Sequence, residues 1–229
     1  MKHTTYFNLL DAIKENGCPI CFLVEKSIHK FMDDFLYEQV NDPYIRKGIR
    51  LSLGFCNHHS WKLQKFGDAL GISIVYQDLL EIFLNKIKKI SKDHFNPKSF
   101  FKNLLKDENL SNFQEIEKTC LICKKQRDVE QRYIATLIEN FKDEELSQAY
   151  KNSFGLCLPH LLYLIRHCKD LEVSTEFLRI ELTKIEEIIN ELKEFQRKYD
   201  YRFSSEKFGK EKDCWIRAIE KMLGKEDIY

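Results

Sequence analysis

Six of the eight cysteines in this chain fall into two copies of one spacing. Cys18-Pro-Ile-Cys21 is followed, 34 residues on, by Cys56-Asn-His-His59. Cys120-Leu-Ile-Cys123 is followed, 33 residues on, by Cys157-Leu-Pro-His160. Each copy thus offers three thiols and one imidazole. Tetrahedral zinc takes four such donors at about 2.0 to 2.3 Å, and a two-residue spacer lets both ligands of a pair wrap one ion. Backbone amides in such a turn can face the thiolates and lower their pKa values. Gly54 and Gly155, two residues before Cys56 and Cys157, suit the tight turn that a metal knuckle needs.

The ligands expected within the first copy are Cys18, Cys21, Cys56 and His59. Those expected within the second are Cys120, Cys123, Cys157 and His160. His58 competes with His59, but the matching position in the second copy is Pro159, which decides for His59. A closed structural zinc site in each copy, two ions per chain, is the favoured chemistry. An iron–sulfur cluster and dithiol redox chemistry are the alternatives. The usual cluster spacings differ from these, and no βαβ pattern surrounds the Cys-x-x-Cys pairs. Buried cysteines without metal remain a third alternative. Four protein ligands fill a zinc shell and leave no position for substrate, which argues against an enzyme.

The register extends past the ligands. The first pair of motifs is offset by 102 residues and the second by 101, so one residue has been gained or lost inside a copy. At 101, Glu38 meets Glu139, Asp42 meets Asp143, Ser52 meets Ser153, Leu63 meets Leu164 and Ser73 meets Ser174. An internal duplication is the simplest source of such self-similarity. It divides the chain into a first module over 1–95, a linker over 96–118, a second module over 119–203 and a C-terminal helix over 204–229.

Helices must position these motifs. Gly 8 and Pro 4 make up about 5 % of the 229 residues, against a usual ~12 %, too few for the turns of an all-β fold. Apolar residues recur near a 3.6 period: Phe7, Leu10 and Ile13 in an opening helix over 4–15, then Phe22, Leu23, Ile28, Phe31, Met32, Phe35 and Leu36 between Pro19 and Val40. Asp42-Pro43 caps a helix running to about Leu53, and the Cys56 knuckle opens another to Leu70, where Gly71 stops it. The second copy repeats this order, ending in a long helix from Leu171 towards Phe203. A last helix, about Lys212 to Leu223, ends at Gly224. The class is all-α. A helical hairpin is expected to return each Cys-x-x-His to the Cys-x-x-Cys of its own copy, with the metal pinning its base.

Charge and hydropathy exclude other classes. Lys+Arg 37 against Asp+Glu 36 gives a net charge of +1, which disfavours a nucleic-acid binder. The run Lys86-Ile-Lys-Lys-Ile-Ser-Lys92, with Lys98, Lys102, Lys106, Phe95, Phe100 and Phe101 beyond it, is the one candidate basic-aromatic contact. Charges at Asp11, Lys14 and Glu15 interrupt any signal-peptide core, and no run reaches a membrane span, so a cytoplasmic address is expected. Cys168 and Cys214 stand outside the repeat and read as small core residues, Trp61 and Trp215 as core anchors.

These motifs resemble an uncharacterised prokaryotic family, a domain of unknown function. Its members carry Cys-Pro-x-Cys, Asp-Pro-x-x-Arg and Gly-Phe-Cys-x-x-His. Here they are Cys18 to Cys21, Asp42-Pro43-Tyr44-Ile45-Arg46, and Gly54-Phe55-Cys56 to His59. The second copy lacks the Pro and Arg of the middle stretch. The resemblance implies a helical metal-binding protein and supplies no activity. A zinc protein that binds a protein partner is therefore the expected function. A nucleic-acid-binding regulator and a Cys-x-x-Cys redox protein are the competing ones.

Overall fold

The computed structural model describes residues 2–92, 120–203 and 205–228, and among them it contains helices and no strand. The linker over 96–118 and its basic and aromatic residues lie outside the described residues. In order the helices are α1 (Thr4–Ile13), α2 (Pro19–Asp34, continued by a π-helical turn over Phe35–Gln39), α3 (Pro43–Leu51), α4 (Asn57–Gln64) and α5 (Ala69–Lys92). Then come α6 (Leu121–Asn140), α7 (Glu144–Lys151), α8 (Leu158–His167), α9 (Leu171–Lys198) and α10 (Cys214–Leu223).

Three helix starts follow from aspartate capping. The Asp42 carboxylate accepts from the amides of Tyr44 and Ile45 at 2.9 Å, with Pro43 at the first helical position. Asp143 caps α7 and Asp170 caps α9 in the same way. The stop expected at Gly71 falls elsewhere. Gly67, at φ +81°, closes the turn after α4, and Gly71 lies inside α5, its amide bound by the Asp68 carboxylate at 2.9 Å. The Asp68 cap and the left-handed Gly67 together outweigh the helix-breaking tendency of one glycine.

The residues group into two compact units, Met1–Lys26 with Val129–Tyr229 (unit 1) and Ser27–Asp128 (unit 2). This grouping does not follow the sequential order of modules. The boundaries fall inside α2 and α6, so the opening turns of each helix belong to one unit and the remainder to the other.

In unit 1, α1 packs on α7, while α10 packs on α9 and α8. The core centres on Phe141, Tyr150 and Phe177, with ring centroids 3.9 to 5.8 Å apart. The buried stripe of α1 is Tyr6, Leu9, Leu10 and Ile13. Phe7, expected on that face, is 52 % exposed. The stripe is turned because Tyr6 carries its hydroxyl to Asp143 at 2.5 Å. In unit 2, α5 packs on the π-helical end of α2, and Phe35 meets Phe55 edge-on at 5.6 Å. Trp61 and Trp215, expected as core anchors, are 63 % and 50 % exposed. Cys214 is buried as expected, but Cys168 is only partly buried, its thiol on the Asp170 carbonyl at 3.3 Å. No described helix is long and apolar enough to cross a membrane.

Candidate metal centres

Two groups of four side chains bring their donor atoms within 4.8 Å of one another. One is Cys18, Cys21, Cys157 and His160; the other is Cys56, His59, Cys120 and Cys123. The eight residues singled out by the repeat are the eight that gather, but the grouping expected within each copy is corrected. The Cys-x-x-Cys of one copy meets the Cys-x-x-His of the other. The first centre lies wholly in unit 1 and the second wholly in unit 2.

The reason lies in α2 and α6. Each carries its cysteine pair at its N-terminus and then runs on into the other unit, so the pair stays behind while the rest of its copy moves on. A helix is a stiff rod, and the 16 residues of α2 rise about 24 Å. The nine residues of α3 rise only about 14 Å. Both Cys-x-x-His motifs offer the same donors, so local chemistry sets no preference between them.

Each centre is built from two helix N-termini. Cys18 and Cys120 directly precede α2 and α6, and their carbonyls accept from the amides of Phe22 at 3.1 Å and Lys124 at 3.0 Å. Cys56 and Cys157 are the N-cap residues of α4 and α8, in extended backbone. Unpaired amides and the positive end of the helix dipole favour thiolate at these positions. The turns before them use left-handed backbone, with φ +109° at Gly54 and +78° at Gly155. Only glycine adopts this without strain.

The donor spacings fit a tetrahedral ion. Four ligands at ~2.0 to 2.3 Å and tetrahedral angles would stand roughly 3.5 to 3.8 Å apart. In unit 1 the His160 Nδ1 lies 3.5 Å from the sulfurs of Cys18 and Cys21 and 3.1 Å from that of Cys157, and Cys21 and Cys157 are 3.7 Å apart. In unit 2 the His59 Nδ1 lies 3.1 Å from Cys56, 3.8 Å from Cys120 and 3.2 Å from Cys123, and Cys56 and Cys123 are 3.5 Å apart. The soft, mostly buried Cys3His set suits zinc and rejects the hard, oxygen-seeking cations.

Electrostatics point the same way. Burial lowers the pKa of His160, but the thiols of Cys18 and Cys21 and the Glu130 carboxylate outweigh it and raise it to about 11. His59 is raised to about 9, against burial, by Cys120 and Cys56. Burial raises the Cys18 thiol, yet hydrogen bonds from Cys157, Cys21 and His160 bring it well below its ordinary value. In each cluster one sulfur, Cys18 or Cys120, is thus favoured as thiolate beside a positive imidazole, while the thiols of Cys21, Cys157 and Cys123 are raised.

A buried polar network, not foreseen from the sequence, holds the chain leading into Cys157. Glu181, 1 % exposed, accepts from the Tyr150 hydroxyl, from the Leu156 amide at 2.9 Å and from the Lys221 ammonium. Lys184 donates to the carbonyls of Lys151, at 2.8 Å, and Ser153, and Lys221 donates to that of Phe154 at 3.1 Å. Burial pushes the Tyr150 hydroxyl well up, with Glu181 adding to it, and lowers the Lys184 ammonium. One signal was present: Glu181 and Lys184 interrupt the apolar stripe Val173, Phe177, Ile180, Ile188 of α9. Charges there demand buried partners.

A Cβ at Gly155 would run into the Glu181 carboxylate and the Lys184 stem, whereas one at Gly54 would meet only the Leu79 methyl at 3.2 Å. Both positions have positive φ. Gly155→Ala should therefore cost clearly more than the ~1 to 2 kcal/mol of left-handed strain alone, and more than Gly54→Ala, in urea unfolding. Equal losses would show that the network yields freely to the added methyl.

The fold and site define an all-helical protein with two buried Cys3His clusters able to hold metal ions. The chain belongs to the family of unknown function DUF6062, whose sequence profile matches residues 1–228. An uncharacterized 23.9 kDa protein from the xynA 3' region of Caldicellulosiruptor sp. (strain Rt8B.4) is 30 % identical over 218 residues, covering 94 % of this chain and 99 % of that protein. No solved structure is significantly similar to the chain.

Proposed function

We propose that this chain is a cytoplasmic zinc protein in which each Cys3His centre holds one structural ion, and that it acts by binding another protein. The observation that carries the reading is the convergence of three sulfurs and one imidazole nitrogen, at tetrahedral spacing, in each of two places. Four protein donors complete the coordination shell, so the metal supplies cross-linking rather than catalysis. The internal duplication read from the sequence accounts for two centres of identical composition. The near-neutral charge, +1, supports a protein rather than a nucleic-acid partner. So does the exposed face of α10, where Trp215, Ile219, Met222 and Leu223 are each half or more exposed.

Metal analysis of the chain purified with and without air is the test. The expected result is a colourless protein with two zinc ions per chain. A brown preparation with iron and visible charge-transfer absorption would replace zinc with clusters. A metal-free protein whose thiols oxidise reversibly would replace it with dithiol chemistry.

A further inference from the structure

We infer that the two centres hold their metal unequally: the unit 1 centre retains its ion, and the unit 2 centre is an exchange site that passes its ion to incoming thiolate or nitrogen donors. This rests on the metal reading above and concerns what surrounds identical donor sets. Three differences carry it.

The first is access. All four donors in unit 1 are buried, whereas Cys123 in unit 2 is only partly buried. An outside donor can approach at that sulfur. It forms a bond to zinc as the Cys123 Sγ–Zn bond breaks, the released thiolate takes a proton from water, and no electron is transferred. Such associative exchange is closed to a donor set that solvent cannot reach.

The second is orientation of the histidine. His160 turns Nδ1 to the sulfurs, and its Nε2 lies 3.6 Å from the Glu130 carboxylate. A carboxylate on the far nitrogen fixes the tautomer and ring of a ligating histidine and strengthens it as a donor; losing it typically costs 10 to 100-fold in metal affinity. Glu130 is thus a positioning residue. His59 turns Nδ1 to the sulfurs of Cys56, Cys120 and Cys123 and has the His58 ring 4.9 Å away, and among the described residues it forms no ion pair with a carboxylate. At the positions matching Glu130 stand Ile28 and His29, at offsets of 102 and 101.

The third is the backbone behind the knuckle. Lys184, Lys221 and Glu181 hold the segment from Lys151 to Leu156 at four backbone groups. The corresponding positions on α5 are Leu80 and Phe83, both exposed, which can anchor nothing polar. The segment before Cys56 is held by side-chain hydroxyls, Ser52 on the carbonyls of Gly48, Ile49 and Gly54 and Ser60 on that of Phe55 at 3.2 Å. A ligand on a firmly held segment is slow to swing away from its ion, and the Cys157 side is the firmer of the two.

The test is to mix zinc-loaded full-length protein with excess 4-(2-pyridylazo)resorcinol and follow release. Two phases of equal amplitude are expected. Iodoacetamide added at the end of the fast phase, read by peptide mass spectrometry, should label Cys56, Cys120 and Cys123 and spare Cys18, Cys21 and Cys157. This part needs no variant. Glu130→Gln, which keeps the side chain's size, should speed the slow phase by roughly tenfold, leaving the fast phase and the melting of the metal-free chain unchanged. A single release phase carrying two zinc ions, labelling in the reverse order, or an equal effect of Glu130→Gln on both phases would overturn the inference while leaving the metal reading intact. A chain that takes up no zinc would overturn the metal reading itself.

Discussion

Cys157→Ser should expose Cys18 and Cys21 to alkylation and leave Cys120 and Cys123 protected, with one zinc ion lost per chain. Cys157 lies with Cys18 and Cys21 in the unit 1 centre, its sulfur 3.7 Å from that of Cys21, although 136 residues separate the two in sequence. The grouping by copy anticipates the opposite labelling, so the experiment decides between the two arrangements directly. The effect should be large. Structural zinc in small domains is worth about 10 to 16 kcal/mol, as much as the whole stability of a typical domain. A metal joining residues 136 apart also closes a longer loop than one joining Cys56 to Cys123, which are 67 apart. Twice the length adds only about 0.6 kcal/mol of loop-closure entropy, so loop length will not separate the two centres. Cys56→Ser should in turn expose Cys120 and Cys123. Cys168→Ser should keep both ions, since its thiol belongs to neither centre. Release of Cys120 and Cys123 by Cys157→Ser would show that the metal-bound chain pairs its motifs within each copy.

The donors were legible because metal knuckles are local. Two residues between cysteines, a glycine two residues before the third and a histidine three residues after it are constraints that a short segment meets by itself. The second copy then removed the ambiguity at His58. Which knuckle meets which was not legible, because it depends on where α2 and α6 pass from one unit to the other. Their apolar spacing is continuous across that boundary, with Leu23 and Val24 buried on one side of it and Ile28 and Met32 on the other. A helix with an unbroken stripe gives no sign that its two ends serve different cores. The misplaced aromatics have a similar origin. Composition marks Trp61, Trp215 and Phe7 as candidates for burial, but the helix faces that pack are set by partners distant in sequence, such as Asp143 for Tyr6. The polar network around Glu181 was hidden for the same reason, since its members come from α7, α9, α10 and the segment between α7 and α8.

Lys221→Met should destabilise unit 1 by about 3 to 5 kcal/mol, the range for removing one partner of a buried ion pair. Glu181 and Lys221 have side chains 1 % and 6 % exposed, so neither charge is solvated by water. Methionine fills much of the lysine's volume but leaves the Glu181 carboxylate without its cation and the Phe154 carbonyl without its donor. The remaining bonds from Tyr150 and the Leu156 amide do not neutralise the charge. Lys184 is committed to the carbonyls of Lys151 and Ser153. Glu181→Gln alone should also cost, because it strands the Lys221 ammonium in the same dry site. The double variant should cost clearly less than the sum of the two, since a neutral amide beside a thioether leaves no buried charge unpaired. Urea unfolding of the four proteins, kept zinc-loaded, measures this coupling. The fit also has a consequence at the metal: with Phe154 released, the segment into Cys157 loosens, so Lys221→Met should hasten zinc loss from the unit 1 centre and not from the unit 2 centre. A loss below about 1 kcal/mol for Lys221→Met, as is usual for an exposed ion pair, together with additive costs in the double variant, would show that the buried pair neither anchors α10 nor braces the knuckle.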